Sequence, residues 1–370
     1  MADIQARVED MVRRLVDSGR ESAVQVAAYR HGELIVDAYA GEGAAGRGVD
    51  SGSLFHSYST GKGVTATLVH VLVERGLLDY DTPVAHYWPE FGAHGKDRAT
   101  VRDALTHRTG VPQLPPAITP EELCDWDGMC ALIAAQEPLW EPGTASGYHG
   151  WTFGWILGET VRRATGLGSI AEALHVYVTE PLGIADSLFY GIPDEQADRV
   201  VPLVAGSWEE KLAAIPPGAP FFQAVPNPDV WPCARLANRP DFLRAHAPAG
   251  ATLTARAAAR MYASLLAEVD GVRLLPAERL PLLYGLQTRE PDRILGAPIP
   301  KGLGYFLGLP ETGGELTAFG HNGSGGSIAF ADPGRGLSFA FTRSRLSAGA
   351  DDTHAQDLAA LIRKAVDGEG

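Results

Sequence analysis

Residues 54–77 read LFHSYSTGKGVTATLVHVLVERGL, a polar beginning followed by an almost uninterrupted apolar run. Val64, Leu68 and Leu72 recur within it at four-residue intervals, which predicts a largely buried helix. Ser59 and Lys62 stand where this helix begins, in the order Ser-x-x-Lys. Because residues three apart share a helix face, we expect the Lys62 ammonium to approach the Ser59 hydroxyl.

The Ser-x-x-Lys spacing is typical of a serine nucleophile with its own base. A serine hydroxyl is a weak nucleophile at neutral pH and needs both a nearby base and donors for the oxyanion. The first turn of a helix supplies unpaired N–H groups and positive partial charge. A lysine on a helix is usually a solvated surface charge, and the motif arises by chance in long chains. Since the helix after Lys62 is apolar almost throughout, we predict that Ser59 and Lys62 are functional.

Tyr148 stands in a second segment, WEPGTASGYHG at residues 140–150. A phenol becomes a usable base only where a nearby ammonium such as Lys62 stabilises the phenolate. The alternative interpretation is a packed ring whose hydroxyl is hydrogen-bonded.

A third segment, HNGSGG at residues 321–326, lies between two predicted strands. Its small residues would let a strand edge pass close to a substrate, and the Ser324 N–H would complete an oxyanion hole with the Ser59 N–H. The alternative is a glycine-rich hairpin turn.

Strand patterns occur near both ends of the chain. Residues 23–29 and 33–40 form two apolar runs joined by Arg30-His31-Gly32, which predicts a β-hairpin after an amphipathic N-terminal helix. Short strand patterns return at 303–308, 316–320, 326–331 and 337–343, before a helix at about 354–366. The middle is helix-rich, with patterns near 121–135, 150–166 and 253–268.

This arrangement predicts an α+β fold in which an antiparallel sheet, built from both termini, is flanked by helices and carries an inserted helical subdomain. We assign residues 1–80 and 300–370 to the sheet subdomain and 81–299 to a mostly helical one, with the active site at their interface. Trp208, Phe221, Phe222 and Trp231 would either line that site or pack within the helical subdomain.

Composition limits the partners of the chain. The net charge of -14 opposes binding to nucleic acid or an anionic membrane. Charged residues interrupt the first 20 positions and no apolar stretch is long enough to span a bilayer, so we expect a cytoplasmic protein. Cys124, Cys130 and Cys233 suggest neither a disulfide framework nor a metal site, and we expect no cofactor. The oligomeric state is left open.

The three motifs, taken in this order, resemble those of the serine β-lactamase and penicillin-recognising superfamily. The chain is most similar to the class C-like, β-lactamase-related esterases called family VIII carboxylesterases. The similarity covers most of the chain and includes residues 76–84, 87–91, 105–112 and 181–184. It implies a β-lactamase/transpeptidase-like fold.

The resemblance also implies a double-displacement mechanism through an acyl-enzyme. Ser59 would attack a carbonyl, Lys62 and Tyr148 would move its proton to the leaving group, and the N–H groups of Ser59 and Ser324 would hold the oxyanion. The residues implied in substrate binding are His149, Gly150, His321, Asn322 and Gly323.

Two departures from the class C pattern bear on the substrate. Those β-lactamases carry Tyr-x-Asn, whereas Gly150 stands in the place of the Asn. Their third motif is Lys-Thr-Gly, whereas His321-Asn322-Gly323 offers an imidazole that is mostly neutral at pH 7. We therefore expect weak or no β-lactamase activity.

Three functions follow as hypotheses. The first is a serine hydrolase acting on a small ester or amide. The second is an acyltransferase that moves an acyl group to an amine or alcohol in natural-product biosynthesis. The third is a non-catalytic binding protein that retains the fold. The identity of the substrate is set by loops around the pocket that the sequence pattern does not specify.

Overall fold

A computed structural model describes residues 2–246 and 250–368. Within these ranges the chain forms nine strands and fifteen α-helices. The strands are β1 Ala23–Arg30, β2 Glu33–Gly41, β3 Phe55–His56, β4 Leu188–Phe189, β5 Thr252–Leu253, β6 Phe306–Leu307, β7 Phe319–Asn322, β8 Ile328–Asp332 and β9 Leu337–Arg343. The helices are α1 Ala2–Asp17, α2 Gly61–Glu74, α3 Val84–Tyr87, α4 Val101–Leu105, α5 Pro120–Cys124, α6 Trp126–Ala135, α7 Thr152–Thr165, α8 Ile170–Leu174, α9 Ser207–Ala213, α10 Phe221–Ala224, α11 Ala234–Ala237, α12 Pro240–Arg244, α13 Ala255–Leu266, α14 Leu280–Tyr284 and α15 His354–Asp367.

The main sheet has six strands in the order β2-β1-β9-β8-β7-β6, and every neighbouring pair is antiparallel. The predicted hairpin is confirmed, since β1 pairs with β2 from Ala23 opposite Gly41 to Arg30 opposite Glu33. β1 also pairs with β9, where Arg30 lies opposite Leu337. The sheet is therefore assembled from both ends of the chain, as predicted.

Strand β1 is buried on both faces and divides the core into two layers. Val24, Val26 and Ala28 point to the layer that contains α1 and α15, while Ala27 and Tyr29 point to the larger layer on the other side. This alternation follows from the two-residue period of a strand. The larger layer contains α2, which is buried along almost its whole length and packs against α7.

A small sheet in the order β3-β5-β4 pairs β3, which lies just before Ser59, with two strands of the range 81–299. Helix α13 belongs to the range 81–299, yet it packs against β1, β8 and β9 of the main sheet. The boundaries of the two subdomains remain a prediction.

The helix predicted over 121–135 is divided at Asp125 into α5 and α6. The Asp125 side chain accepts a hydrogen bond from the Gly128 N–H at 3.1 Å and so begins a new helix. The strand predicted over 303–308 is shorter than expected, because Gly304 adopts a φ of +86° that interrupts extended structure before β6.

Candidate active site

Ser59 lies in the 3₁₀ turn Tyr58–Thr60, immediately before α2 begins at Gly61. Tyr58 has a φ of +42°, a left-handed conformation that is uncommon for a bulky residue and that the packing of its ring maintains. Its hydroxyl donates a hydrogen bond to the Cys233 carbonyl at 2.5 Å. The turn therefore presents Ser59 in a fixed orientation at the edge of a cavity.

Lys62 reaches back from the first turn of α2. Its Nζ donates hydrogen bonds to Ser59 Oγ at 2.9 Å and to the Gly150 carbonyl at 2.7 Å. The predicted approach of the two side chains is thus observed. Burial of Lys62 lowers its pKa to about 7, because a fully buried ammonium loses its hydration. A lysine with this pKa can accept the Ser59 proton near neutral pH.

Tyr148 lines the same cavity as Ser59. The centroid of its ring lies 5.1 Å from Lys62 Nζ. Burial of the phenol raises the pKa of Tyr148 above its usual value, although a hydrogen bond with the Ser59 side chain acts in the opposite direction. The phenol is therefore protonated at neutral pH. These two pKa shifts favour Lys62 over the Tyr148 phenolate as a base at neutral pH.

His321 lies on β7 and is buried beside the same group. Its Nδ1 lies 2.7 Å from the Asn322 carbonyl, so Nδ1 carries the proton and Nε2 is an acceptor. Nε2 has no hydrogen-bond partner among the residues that the structure describes. Burial, reinforced by the nearby Lys62, lowers the pKa of His321 to about 3, so the imidazole is neutral. Its ring stacks on Phe306 at 4.2 Å and lies 6.1 Å from the Tyr148 ring.

Gly323 allows β7 to approach the Ser59 turn. A Cβ atom at this position would lie 2.2 Å from the Ser57 carbonyl oxygen, so no side chain can be accommodated. Ser324 follows and lines the same cavity as Ser59. Within residues 2–246 and 250–368, neither the Ser59 nor the Ser324 amide donates to a backbone carbonyl outside its own helix or strand. The oxyanion hole formed by these two amides remains a prediction, and the Asn322 side chain is exposed.

The cavity beside Ser59 is narrow, with a volume of about 40 Å³. Its lining is mostly apolar, and no Lys, Arg, Asp or Glu of the described ranges contributes to it. Of the four aromatic residues considered from the sequence, Phe221 lines this cavity, while Phe222 and Trp231 stack on each other at 5.7 Å. The lining residues are Tyr58, Ser59, Tyr148, Gly150, Trp151, Phe221, Ala224, Val225, Pro232 and Ser324.

His149 does not occupy the position that the sequence suggested. Its Nε2 contacts the Thr109 hydroxyl at 2.8 Å and its Nδ1 contacts the Gly147 carbonyl at 2.6 Å, and the side chain is buried away from the cavity. With both ring nitrogens engaged, His149 supports the loop instead of contacting substrate. Gly150 does line the cavity, and a Cβ atom there would make ordinary contacts with Ala224 and Tyr148.

Three residues near Tyr148 were not anticipated. His107 accepts a hydrogen bond from the His149 amide at 3.1 Å, and its ring lies 5.0 Å from the Tyr148 ring. Asp292 Oδ1 accepts a hydrogen bond from the Tyr148 amide at 2.9 Å, and Asp292 is paired with Lys301. One feature of the sequence could have indicated Lys301: it is the single charged residue in the otherwise apolar segment APIPKGLGYFLGL at 297–309.

Glu21, Asp352 and His354 form a group that could be considered for a metal ion, since one ligand atom from each lies within 4.8 Å of the others. The Arg343 guanidinium already contacts both carboxylates, so it supplies the positive charge that a metal would bring. We interpret this group as an ion cluster that supports the fold. Among the described helices, none combines the length and apolar character needed to cross a membrane.

Known proteins similar to this chain identify its family. The family model described as Beta-lactamase matches residues 8–364. The esterase/beta-lactamase LipL of Mycobacterium tuberculosis is 35% identical over 339 residues, which cover 87% of this chain and 76% of LipL. A family VIII carboxylesterase structure superposes with a TM-score of 0.86 at 30% identity, covering 96% of this chain and 97% of its own. A penicillin-binding protein homologue from Caulobacter crescentus gives a TM-score of 0.86 at 32% identity, covering 98% and 97%. The chain therefore belongs to the Beta-lactamase family of serine hydrolases, together with carboxylesterases of the same fold.

Proposed function

We propose that this protein is an esterase that hydrolyses small, uncharged esters through an acyl-enzyme on Ser59. The observation that carries the proposal is the contact of 2.9 Å between Nζ of the buried Lys62 and Ser59 Oγ at the edge of an apolar cavity. The esterase relatives described above support the same reaction class.

Acylation begins when Ser59 Oγ passes its proton to neutral Lys62 and attacks the ester carbonyl. The N–H groups of Ser59 and Ser324 stabilise the oxyanion that forms. As the alkoxide leaves, it takes the phenolic proton of Tyr148, and the Lys62 ammonium returns a proton to the phenolate.

In deacylation, water gives a proton to neutral Lys62 and attacks the acyl carbon. The bond to Ser59 Oγ breaks as Lys62 returns the proton to it, which leaves a free acid and the starting enzyme.

The site offers little to a β-lactam antibiotic. Such a substrate brings a carboxylate, and burying that charge without a partner is costly. The cavity lining contains no cationic side chain among the described residues, and His321 is neutral. We therefore expect ester hydrolysis to exceed hydrolysis of a chromogenic cephalosporin by several orders of magnitude.

The apolar lining favours a second candidate, acyl transfer to an alcohol. A cavity lined by Trp151, Phe221 and Val225 would hold an apolar alcohol better than it holds water. Measuring the ratio of ester to acid product at increasing concentrations of a short alcohol distinguishes the two. A ratio that stays at zero would reject transfer.

The acyl-enzyme is tested by intact-mass spectrometry after brief treatment with p-nitrophenyl acetate. One acetyl group is expected on the unmodified protein and none on Ser59→Ala. Ser187→Ala, which removes a hydroxyl from an exposed region away from the cavity, is the matched control and should be labelled normally. Labelling of Ser59→Ala at the normal rate would reject Ser59 as the nucleophile.

A further inference from the structure

A buried ion pair lies behind the loop that carries Tyr148. Lys301 Nζ and Asp292 Oδ2 are 2.9 Å apart, with side chains 1% and 0% exposed. Antiparallel bridges between Thr288 and Lys301 and between Pro291 and Pro298 close the intervening segment, so the pair lies across the base of a loop.

Asp292 is bonded to the backbone of Tyr148. Its Oδ1 accepts the Tyr148 N–H at 2.9 Å, and also the N–H groups of Ile294 and Leu295 at the same distance. A buried backbone N–H that lost its acceptor would become an unpaired polar group, which costs free energy. The Asp292 carboxylate therefore fixes the Tyr148 backbone in its present position.

Lys301 holds the residue two positions before Tyr148. Its Nζ donates to Ser146 Oγ at 3.1 Å, and the Ser146 carbonyl accepts the Arg293 N–H at 3.0 Å. Between these anchors, a Cβ atom at Gly147 would lie 2.5 Å from the Trp140 ring. The loop is thus confined on one side by Trp140 and held on the other by the ion pair.

We propose that Asp292, kept in place by Lys301, is a positioning residue for the reaction, because it holds the Tyr148 phenol against Ser59 and Lys62. The inference rests on the proposed role of Tyr148 as proton donor. Lys301 balances a carboxylate that would otherwise be a buried, unpaired charge close to the phenol. Displacement of a reacting group by about 1 Å costs on the order of a hundredfold in rate, so the amide contact is expected to govern turnover.

The test compares two double variants, both of which lack the Asp292 carboxylate and the Lys301 ammonium. In D292N/K301Q the Asn oxygen still accepts the Tyr148 N–H, and the two amides can pair with each other. In D292A/K301Q that acceptor is gone. We expect kcat for p-nitrophenyl acetate to stay within about threefold in the first and to fall on the order of a hundredfold in the second, with KM almost unchanged in both. D292S/K301Q replaces the alanine variant if the latter does not fold.

Repeating the comparison in a Tyr148→Phe background separates positioning from general damage. With no phenol to place, the two double variants should then have equal kcat. Glu159→Gln, which disturbs a buried carboxylate bonded to Arg162 and Arg163, is the control and should lower the melting temperature without changing kcat.

Two results would overturn the inference, and each rejects a different part of it. A loss of the same size in both backgrounds would reject positioning by Asp292 and leave the role of Tyr148 intact. Unchanged kcat in Tyr148→Phe alone would reject the proposed role of Tyr148, and positioning with it.

Discussion

Lys62 differs from an ordinary lysine because it has no contact with solvent. Burial lowers its pKa to about 7, while burial lowers the pKa of His321 to about 3 and that of His149 to about 4. These histidines are already neutral at pH 6. Of the shifted groups around Ser59, Lys62 is therefore the one that changes charge near neutral pH.

The pH dependence of the esterase follows from this assignment. The neutral, proton-accepting form of Lys62 exists above its pKa, so kcat/KM is expected to rise with pH through about 7 and then to level off. A pH–rate profile between pH 5.5 and 9 measures the midpoint; these limits are about 1.5 units below and 2 above the expected pKa. A profile that is flat across neutrality would contradict the assignment.

Replacing Lys62 by arginine provides a complementary test. A guanidinium remains protonated throughout this pH range and cannot accept the Ser59 proton. We expect kcat/KM to fall by about 10²–10⁴, the usual contribution of a general base. Lys96→Arg is a matched control, because Lys96 is also buried but bonds only backbone carbonyls of Ala93, Ala134 and Gln136 among the described residues. It should leave kcat/KM close to normal.

At the scale of elements, the site depends on how closely strand β7 approaches the turn that carries Ser59. The backbone of Gly323 lies against Ser57, and the Thr60 hydroxyl donates to the Ser327 carbonyl at 3.2 Å. These contacts bring Ser59 and Ser324, whose amides we propose as the oxyanion hole, to the same cavity. The distance between strand and turn therefore determines whether both amides reach one oxygen atom.

Gly323→Ala should separate β7 from the turn. Its methyl group would lie 2.2 Å from the Ser57 carbonyl oxygen, so the strand must shift. Loss of one oxyanion-hole donor typically costs about 10²–10³ in kcat, and we expect a loss approaching that range. Gly334→Ala, in the exposed turn between β8 and β9 where a Cβ atom meets nothing closer than 3.4 Å, is the control. Equal kcat in the two variants would argue against this role of β7.

Sequence patterns predicted the helices and strands well where the spacing of apolar residues stayed regular along the whole element. The hairpin over 23–41 and the helix at the C-terminal end were placed within one residue or so, because alternation and helical spacing are local properties. The proximity of Ser59 and Lys62 was predicted for the same reason. Asp292 and Lys301 were missed because their contact with Tyr148 joins residues far apart in sequence within an irregular loop, which no local period reveals.

At the scale of the whole molecule, a buried ion cluster joins the end of β9 to the beginning of the chain. Arg343 is 1% exposed and contacts Glu21 and Asp352, and His354 contacts Glu21 at 2.7 Å. A Cβ atom at Gly326 would lie 2.6 Å from the Arg343 guanidinium, so the cluster also underlies the loop after Ser324.

Arg343→Met should therefore destabilise the protein strongly. It leaves Glu21 without its guanidinium partner, and breaking a buried pair in this way costs about 3–5 kcal/mol of the free energy of unfolding. Urea denaturation measures this loss. Arg14→Met, which removes an exposed pair with Asp10, should change the free energy of unfolding by less than about 1 kcal/mol. Similar values for the two variants would reject the structural importance of the cluster.

The pairing of β1 with β9 also determines how late in translation the chain can complete its main sheet. The first hairpin leaves the ribosome early, but one edge of β1 lacks its partner until residues 337–343 have been translated. Such long-range pairing slows folding and leaves apolar strand surface exposed in the meantime. The nascent chain is therefore most vulnerable to aggregation before its last strand appears, and a ribosome stalled before residue 337 should carry a chain without esterase activity.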